Sequence, residues 1–409
     1  MAKVIFIVTV DGEVETVYPI YKLLTDNKID VLCISTETLC CEKNREVPEV
    51  LLNKYGMKYK TLSSYHTKDV TSILKQERPS VVLTFSDQEY VRRAFVYACK
   101  ELTIPIVMFQ IGMSSNKSNI VSVAVKRSAY RLVANFRNIL YKYQFILRTL
   151  VALKWSLVKI FGIIYNDIKV AFTIYDNRCG YGCDYIVVAG RWEIPTLLKR
   201  GVDKNRIFVT GNPLFKFNTA QSSEDIREKF GIKGKLVSFL TLAMVEHGQW
   251  TKERRNEFVT NVVDILSSIE DVKVIVKIHP TENIEDYKKI LNGRNVIILK
   301  DSLYSVIEAS DLVVVGGYST TILETALRRK PVILLNVYNE IKDVPYVELG
   351  IAEGIYNINE LKTCAENLLQ EKEKEVSLNK ANEFLKDNPE FIDGKSAERI
   401  VSLVTEIMK

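Results

Sequence analysis

A chain of 409 residues, 47% hydrophobic and 26% charged, has apolar material for two folded cores and is neither a disordered chain nor a small disulfide-stapled module. Its formal charge is +6, and its seven cysteines are odd in number and include the adjacent Cys40 and Cys41. With no leader-like start, these features predict a reducing, cytoplasmic setting rather than a secreted disulfide framework.

In chain order, Val4–Val10 is an apolar β-branched run, and Val17–Leu24 continues as a helix, leaving Asp11-Gly12-Glu13-Val14-Glu15 as the first strand-to-helix loop. Further strands are predicted at Val31–Ile34, Val81–Phe85 and Ile106–Phe109, separated by helical patterns around Val70–Gln76 and Tyr90–Glu101. Continuous apolar strands alternating with helices predict a parallel, doubly wound sheet. The spacing Cys179-Gly-Tyr-Gly-Cys183 lacks a second cysteine pair or a nearby histidine, so no metal is expected there.

From Leu102 through Asn166 there is no Asp or Glu, yet there are nine basic residues: Lys117, Lys126, Arg127, Arg131, Arg137, Lys142, Arg148, Lys154 and Lys159. At about 100° per residue, those from Lys126 onward share one half of a helix except Lys154. The other half holds Val133, Phe136, Ile139, Leu140, Tyr143, Ile146, Leu147, Leu150, Val151, Leu157, Val158, Phe161 and Ile164. Residues 120–166 are therefore a basic amphipathic segment, as one long helix or a hairpin of two. No apolar run reaches the roughly 18–20 residues a membrane-spanning helix needs. Contact with an anionic membrane through Lys126, Arg127, Arg131, Arg137, Lys142 and Arg148 is the expectation, with core or dimer helices as the alternative. Aromatic and basic residues interleave as at a bilayer interface, which argues against nucleic acid.

The second half repeats the alternation, with strands predicted at Leu236–Leu242, Val272–Ile278, Val296–Leu299, Asp311–Val315 and Val332–Leu335. Ligands of such sheets bind at the carboxyl ends of the strands. There the chain places Lys277-Ile-His279-Pro280 and Gly316-Gly317-Tyr-Ser319-Thr320-Thr321-Ile-Leu-Glu324. A lysine and a histidine at a strand end would cost several kcal/mol to bury without a partner, which points to a ligand. Glycines allow close backbone approach, and hydroxyls at a helix start suit a phosphate. Thr321-x-x-Glu324 also has capping-box spacing. His247 follows the first of these strands and can reach donor phosphate or stand as a surface histidine. Arg254 and Arg255 can assist phosphates or stay in water.

The order Lys-x-His-Pro, Ser-Asp-Leu-Val-Val-x-Gly-Gly, Ser-Thr-Thr-x-x-Glu and Lys330-Pro331-Val resembles the C-terminal domain of GT-B glycosyltransferases. It is most similar to the capsule and surface-polysaccharide group: CDP-glycerol glycerophosphotransferases, polysialyl- and Kdo-transferases, and UDP-N-acetylglucosamine 2-epimerases. Asp184–Gly190 and Phe208–Pro213 resemble that group's entry to its second domain. The resemblance implies a GT-B fold of two doubly wound, Rossmann-like α/β domains facing a cleft, with the basic helical segment inserted in the first. The expected domains are 1–211 on the acceptor side and 212–409 for the nucleotide donor.

It further implies Glu324 on the nucleotide ribose, and His279 with Ser319, Thr320 and Thr321 on the diphosphate. Lys277, Gly317 and His247 complete the donor set. Asp11, or Glu13 behind it, is the candidate catalytic base, since polysialyl-type relatives carry an acid-acid-glycine near the amino terminus and this chain has Asp11-Gly12 after Val10; an N-cap role is the alternative.

Three departures narrow the reading. The epimerase turn is replaced by Gly317-Tyr-Ser-Thr-Thr-Ile-Leu-Glu324 and the arginine-rich histidine motif is only faintly echoed by Glu246-His247, so a 2-epimerase is the lesser alternative. Gly316 stands where retaining enzymes place a second Glu, which favours inversion. Gln110-Ile111-Gly112 replaces the His-Gly of glycerophosphotransferases, and Ile111 cannot be a base. The expected protein is a glycosyltransferase, or a related polyol phosphate transferase, without a cofactor beyond its nucleotide-sugar co-substrate. It would act on a surface-glycan or polyprenyl-linked acceptor, peripheral to the inner face of the cell membrane, with no essential metal and no nucleic acid.

Overall fold

The computed structural model describes residues 2–36, 48–110, 129–171, 182–214, 225–246, 249–300, 303–338 and 344–409, the side chains of 129–138 and 169–171 lying outside the description. The chain forms two compact units, Met1–Phe217 with Glu390–Lys409, and Asn218–Pro389.

The first unit is a seven-stranded parallel sheet. Its strands are β1 (Lys3–Val8), β2 (Asp30–Ser35), β3 (Tyr59–Thr61), β4 (Val81–Thr84), β5 (Ile106–Gln110), β6 (Tyr185–Val188) and β7 (Ile207–Val209), in spatial order β3-β2-β1-β4-β5-β6-β7. Val4 through Val8 are fully buried, because helices cover both faces; that is why the strand is a continuous apolar run rather than an alternation. The helices are α1 (Asp11–Asp26), α2 (Pro48–Lys54), α3 (Val70–Glu77), α4 (Tyr90–Glu101), α5 (Ala129–Ala152), α6 (Leu157–Ala171) and α7 (Glu193–Lys199).

The segment Asp11–Glu15 is helix, not loop. Val10 carbonyl accepts the N–H groups of Glu13 and Val14, and the Glu13 carboxylate reaches back to the N–H of Thr9 at 2.7 Å, which closes the turn directly after β1. The stretches Asp184–Gly190 and Phe208–Pro213 supply the last two strands of the first sheet.

The second unit is a six-stranded parallel sheet: β8 (Lys235–Leu240), β9 (Val272–Lys277), β10 (Val296–Leu299), β11 (Leu312–Val315), β12 (Val332–Leu335) and β13 (Glu353–Ile355), ordered β10-β9-β8-β11-β12-β13. Its helices are α8 (Ile226–Phe230), α9 (Lys252–Ser267), α10 (Ile284–Ile290), α11 (Leu303–Ala309), α12 (Thr321–Leu327), α13 (Leu361–Leu368) and α14 (Glu371–Asp387).

The last helix, α15 (Ser396–Ile407), departs from the expected 212–409 domain. It buries Ala397, Ile400 and Val404 in the core of the first unit, against α1. Arg399 ties it to the carbonyl of Thr210 at 3.0 Å. Gly211 makes the approach possible: its φ is +85°, and a Cβ there would lie 2.1 Å from the carbonyl oxygen of Glu390.

Residues 129–171 form a hairpin, α5 then α6. Only part of its apolar half is core: Ile146 and Leu150 are buried, together with the neighbouring Phe145 and Ile160, in the cluster that contains Phe95 of α4, whereas Ile139, Leu140, Val151, Leu157, Val158 and Phe161 are exposed. Arg93, only 1% exposed, pairs with Asp167 of α6, which also accepts the Tyr143 hydroxyl at 2.7 Å. Of the residues expected on a membrane, Lys126 and Arg127 lie outside the described residues, as do the side chains of Arg131 and Arg137. Lys142 is turned inward and pairs with Glu89 at 3.4 Å, so it is not a free membrane contact, whereas Arg148 is exposed. Among the described residues no helix is long and apolar enough to cross a membrane.

Candidate active site

In the second unit the chain runs from β8 outward through β9 and β10, then returns to the other side of β8 as β11. Loops leaving β8 and β11 therefore diverge, which opens a crevice at the strand carboxyl ends. Register aligns Lys277, Leu240 and Val315 in one row across β9, β8 and β11. The motif residues start just beyond that row, on neighbouring strands spaced by about 4.8 Å.

At the end of β9, Lys277 is buried and its ammonium donates to the carbonyl of Ile278 at 2.8 Å. His279 is half-buried, and its Nδ1 lies 3.2 Å from the donating N–H of Thr281 and 2.9 Å from the Thr281 hydroxyl. With Nδ1 accepting, the neutral ring carries its proton on Nε2. The histidine is therefore preset as a hydrogen-bond donor, the form an anionic oxygen requires.

A carboxylate that sequence reasoning passed over organises this turn. Glu282 is 1% exposed and accepts the N–H of His279 at 3.0 Å, the Tyr287 hydroxyl at 2.5 Å and the Thr241 hydroxyl. Burial raises its pKa, opposed by those three hydrogen bonds. Thr241, at the end of β8, also donates its N–H to Lys277 carbonyl and receives the N–H of His279, so the two strand ends are stitched together. The available signal was a Glu three residues after the histidine, in His279-Pro-Thr-Glu282.

After β11, Gly316 N–H donates to Leu240 carbonyl at 3.0 Å. Gly317 has φ +151°, and a Cβ there would stand 2.7 Å from Leu242 Cδ1, so the turn needs glycine on both counts. Ser319 Oγ accepts the Thr321 N–H at 3.3 Å and the Thr321 hydroxyl at 3.0 Å. Thr320 is exposed and caps α12 in a helical conformation with no side-chain cap bond. The expected capping box does not form: Thr321 is already inside the helix, too late to serve as its N-cap. Glu324 is buried in the first turn of α12, a favourable place for a negative charge.

His247 lies outside the described residues. The two arginines that follow are not in water. Arg255 is 3% exposed, pairs with Asp286 at 3.3 Å and stacks over Tyr287. The Arg254 guanidinium lies 3.9 Å from the Tyr338 ring and 5.1 Å from the Trp250 ring. Trp250 in turn packs edge-on against Phe258 of α9.

In the first unit the corresponding switch point lies between β1 and β4. Asp11 is the first residue of α1 there, half-buried, while the N-cap position belongs to Val10. Glu13 is engaged: its Oε2 takes Arg92 Nη2 at 2.5 Å as well as the Thr9 N–H. Of the two acids, Glu13 is thereby a brace between α1 and α4, which corrects its reading as an alternative base.

Three comparisons bear on this arrangement. No curated protein sequence matches the chain. Solved structures of the same fold include the UDP-GlcNAc 2-epimerase of Methanocaldococcus jannaschii in complex with UDP-GlcNAc and UDP, at 17% identity and TM-score 0.59, covering 99% of each chain. The wall teichoic acid polymerase TagF aligns at 12% identity and TM-score 0.56, over 99% of this chain and 88% of its own. The calicheamicin glycosyltransferase CalG4 aligns at 12% identity and TM-score 0.56, over 100% and 98%. The fold is thus GT-B. A family model described as CDP-glycerol:poly(glycerophosphate) glycerophosphotransferase matches residues 174–406, more than half of the chain, and this protein belongs to that family.

Proposed function

We propose that this protein transfers a glycosyl group, with inversion, from a nucleotide-diphosphate donor to a surface-glycan or lipid-linked acceptor at an anionic membrane. The observation that carries the reading is the row Lys277, Leu240 and Val315, with a histidine preset to donate through Nε2 beyond one end and a Gly-Gly-hydroxyl turn beyond the other. Donors aimed at the oxygen where charge develops stabilise a departing diphosphate. In this reading His279, Ser319, Thr320 and Thr321 hold the diphosphate, with Lys277 supporting the strand end and His247 assisting. Glu324 takes the ribose, and Asp11 removes the acceptor proton.

Family membership supports a second reading, transfer of a polyol phosphate from a CDP-linked donor. Against it stands Ile111, at the position where the resemblance places a glycerophosphotransferase histidine. The leaving group separates the two. An acceptor oxygen attacking the sugar C1 releases the whole nucleoside diphosphate, whereas attack on the distal phosphorus of CDP-glycerol releases CMP. Supplying UDP-, GDP- and dTDP-sugars and CDP-glycerol with an acceptor extract, and identifying the nucleotide released, tests both. CMP released from CDP-glycerol alone would overturn the glycosyl reading. A 2-epimer formed from UDP-N-acetylglucosamine without acceptor would replace both with an epimerase.

A further inference from the structure

Helix α6 is apolar on two faces. Ile160, Ile163 and Ile164 face the core of the first unit, while Leu157 (70% exposed), Val158 (82%), Phe161 (65%), Tyr165 (70%) and Ile168 (53%) form a stripe on the outside, extended by Val151 at the end of α5. Such a helix belongs in an apolar environment on both sides, and contiguous exposed apolar patches above a few hundred Å² mark interaction surfaces. We infer that this stripe inserts into the acyl-chain boundary of an anionic bilayer, with α6 lying in the membrane plane. The inference deepens the membrane part of the proposed function and rests on it, but moves the contact from the basic residues to the apolar ones.

Charge selects the occupant. No carboxylate occurs from Leu102 through Asn166, and the next acid, Asp167, is taken inward by Arg93 and Tyr143. Among the described residues of the hairpin, the exposed charged side chains beside the stripe are Arg148, Lys154 and Lys159; one exposed carboxylate from α4, Glu101, lies close by and accepts the Trp155 indole N–H at 2.9 Å, leaving the surroundings net positive. A second copy of the same face would set these cations against each other, whereas anionic headgroups complement them. Trp155, with Lys159 5.3 Å from its ring, and Tyr165 are amphipathic residues of the kind found at headgroup depth.

The test uses the full-length protein in flotation with phosphatidylcholine vesicles, with or without phosphatidylglycerol, at low salt and at about 0.5 M salt, where headgroup attraction is screened. Wild type is expected to bind the anionic vesicles and to retain much of that binding at high salt. The double variant Val158→Ser with Phe161→Ser is expected to lose about tenfold or more at both salt levels. Arg148→Gln with Lys159→Gln is expected to weaken low-salt binding only. Unchanged melting temperatures would show that both variants fold. If the serine variant binds like wild type and salt abolishes binding, insertion is overturned while membrane contact stands. If wild type binds neither vesicle, both fall. A dimer in sedimentation that the serine variant dissolves would assign the stripe to a second copy instead.

Discussion

The buried carboxylate of Glu282 accepts the backbone N–H of His279 at 3.0 Å, so the place of the imidazole at the end of β9 is set by an acid three residues further along. The same carboxylate holds Thr241 of the adjacent strand end and Tyr287 of α10. A single group therefore aligns two strand ends and the helix behind them.

Replacing Glu282 with Ala strands three donors in a buried place, at about 1–3 kcal/mol for each left unsatisfied. The expected result is a lower melting temperature together with loss of the stabilisation by UDP or CDP that the proposed function predicts for wild type. His279→Ala should lose nucleotide stabilisation while leaving the melting temperature of the free protein nearly unchanged, because its ring is half-exposed. Thermal melts with and without nucleotide separate the two.

Gly317→Ala is predicted to damage the donor turn through both backbone and packing. The φ of +151° disfavours any side chain, and the new methyl would fall 2.7 Å from Leu242 Cδ1. Backbone strain of this kind costs of order 1–3 kcal/mol. Adding Leu242→Ala removes the clash but not the strain, so the double variant should recover stability in part and nucleotide affinity little, as read by calorimetry.

Asp11 and Glu13, the acids in the first turn of α1, should behave oppositely. Asp11→Asn is expected to reduce turnover by about 10²-fold or more, the usual range for a lost general base, with little change in melting temperature. Glu13→Gln disrupts the buried contact to Arg92 and the Thr9 N–H, and is expected to lower stability by roughly 1–3 kcal/mol. Equal turnover in Asp11→Asn and wild type would remove Asp11 from the mechanism.

Acid stability should carry the mark of Glu77. Burial alone would raise its pKa, but hydrogen bonds from Lys3, Lys60 and Tyr65 outweigh that and hold it at about 2. The unfolded chain binds a proton in the ordinary glutamate range, and the folded chain does so only near 2. The contribution, roughly 2–3 kcal/mol, is therefore complete above the ordinary range and is lost as pH falls toward 2. Denaturant melts of wild type and Glu77→Gln should differ at neutral pH and converge below about pH 3.

Strands buried on both faces were legible because such a position tolerates only apolar side chains; Val332–Leu335 was predicted to the residue, as was the half-buried apolar edge strand Val296–Leu299. The short edge strands Tyr59–Thr61 and Glu353–Ile355 were not, since three mostly half-exposed residues are too few to carry a period. In the site, the motif residues could be found by type and spacing. For Glu282 the spacing from His279 marked a candidate but not its role, which lies in three donors, two of them from the end of β8 and from α10.

By itself the sequence determined two parallel α/β sheets and the strand ends where a donor would bind, because burial and local spacing are written in residue type along the chain. Only the tertiary structure decided which acids are engaged, that α15 returns to the first unit, that no capping box forms at Thr321, and which apolar residues of the basic hairpin are core and which face outward. The cap is decided by where α12 begins, and the others depend on partners distant in the chain: Arg92 for Glu13, Arg93 for Asp167, Thr210 for Arg399. Hydrophobic periodicity says that a face must be covered; only the packed neighbours say by what.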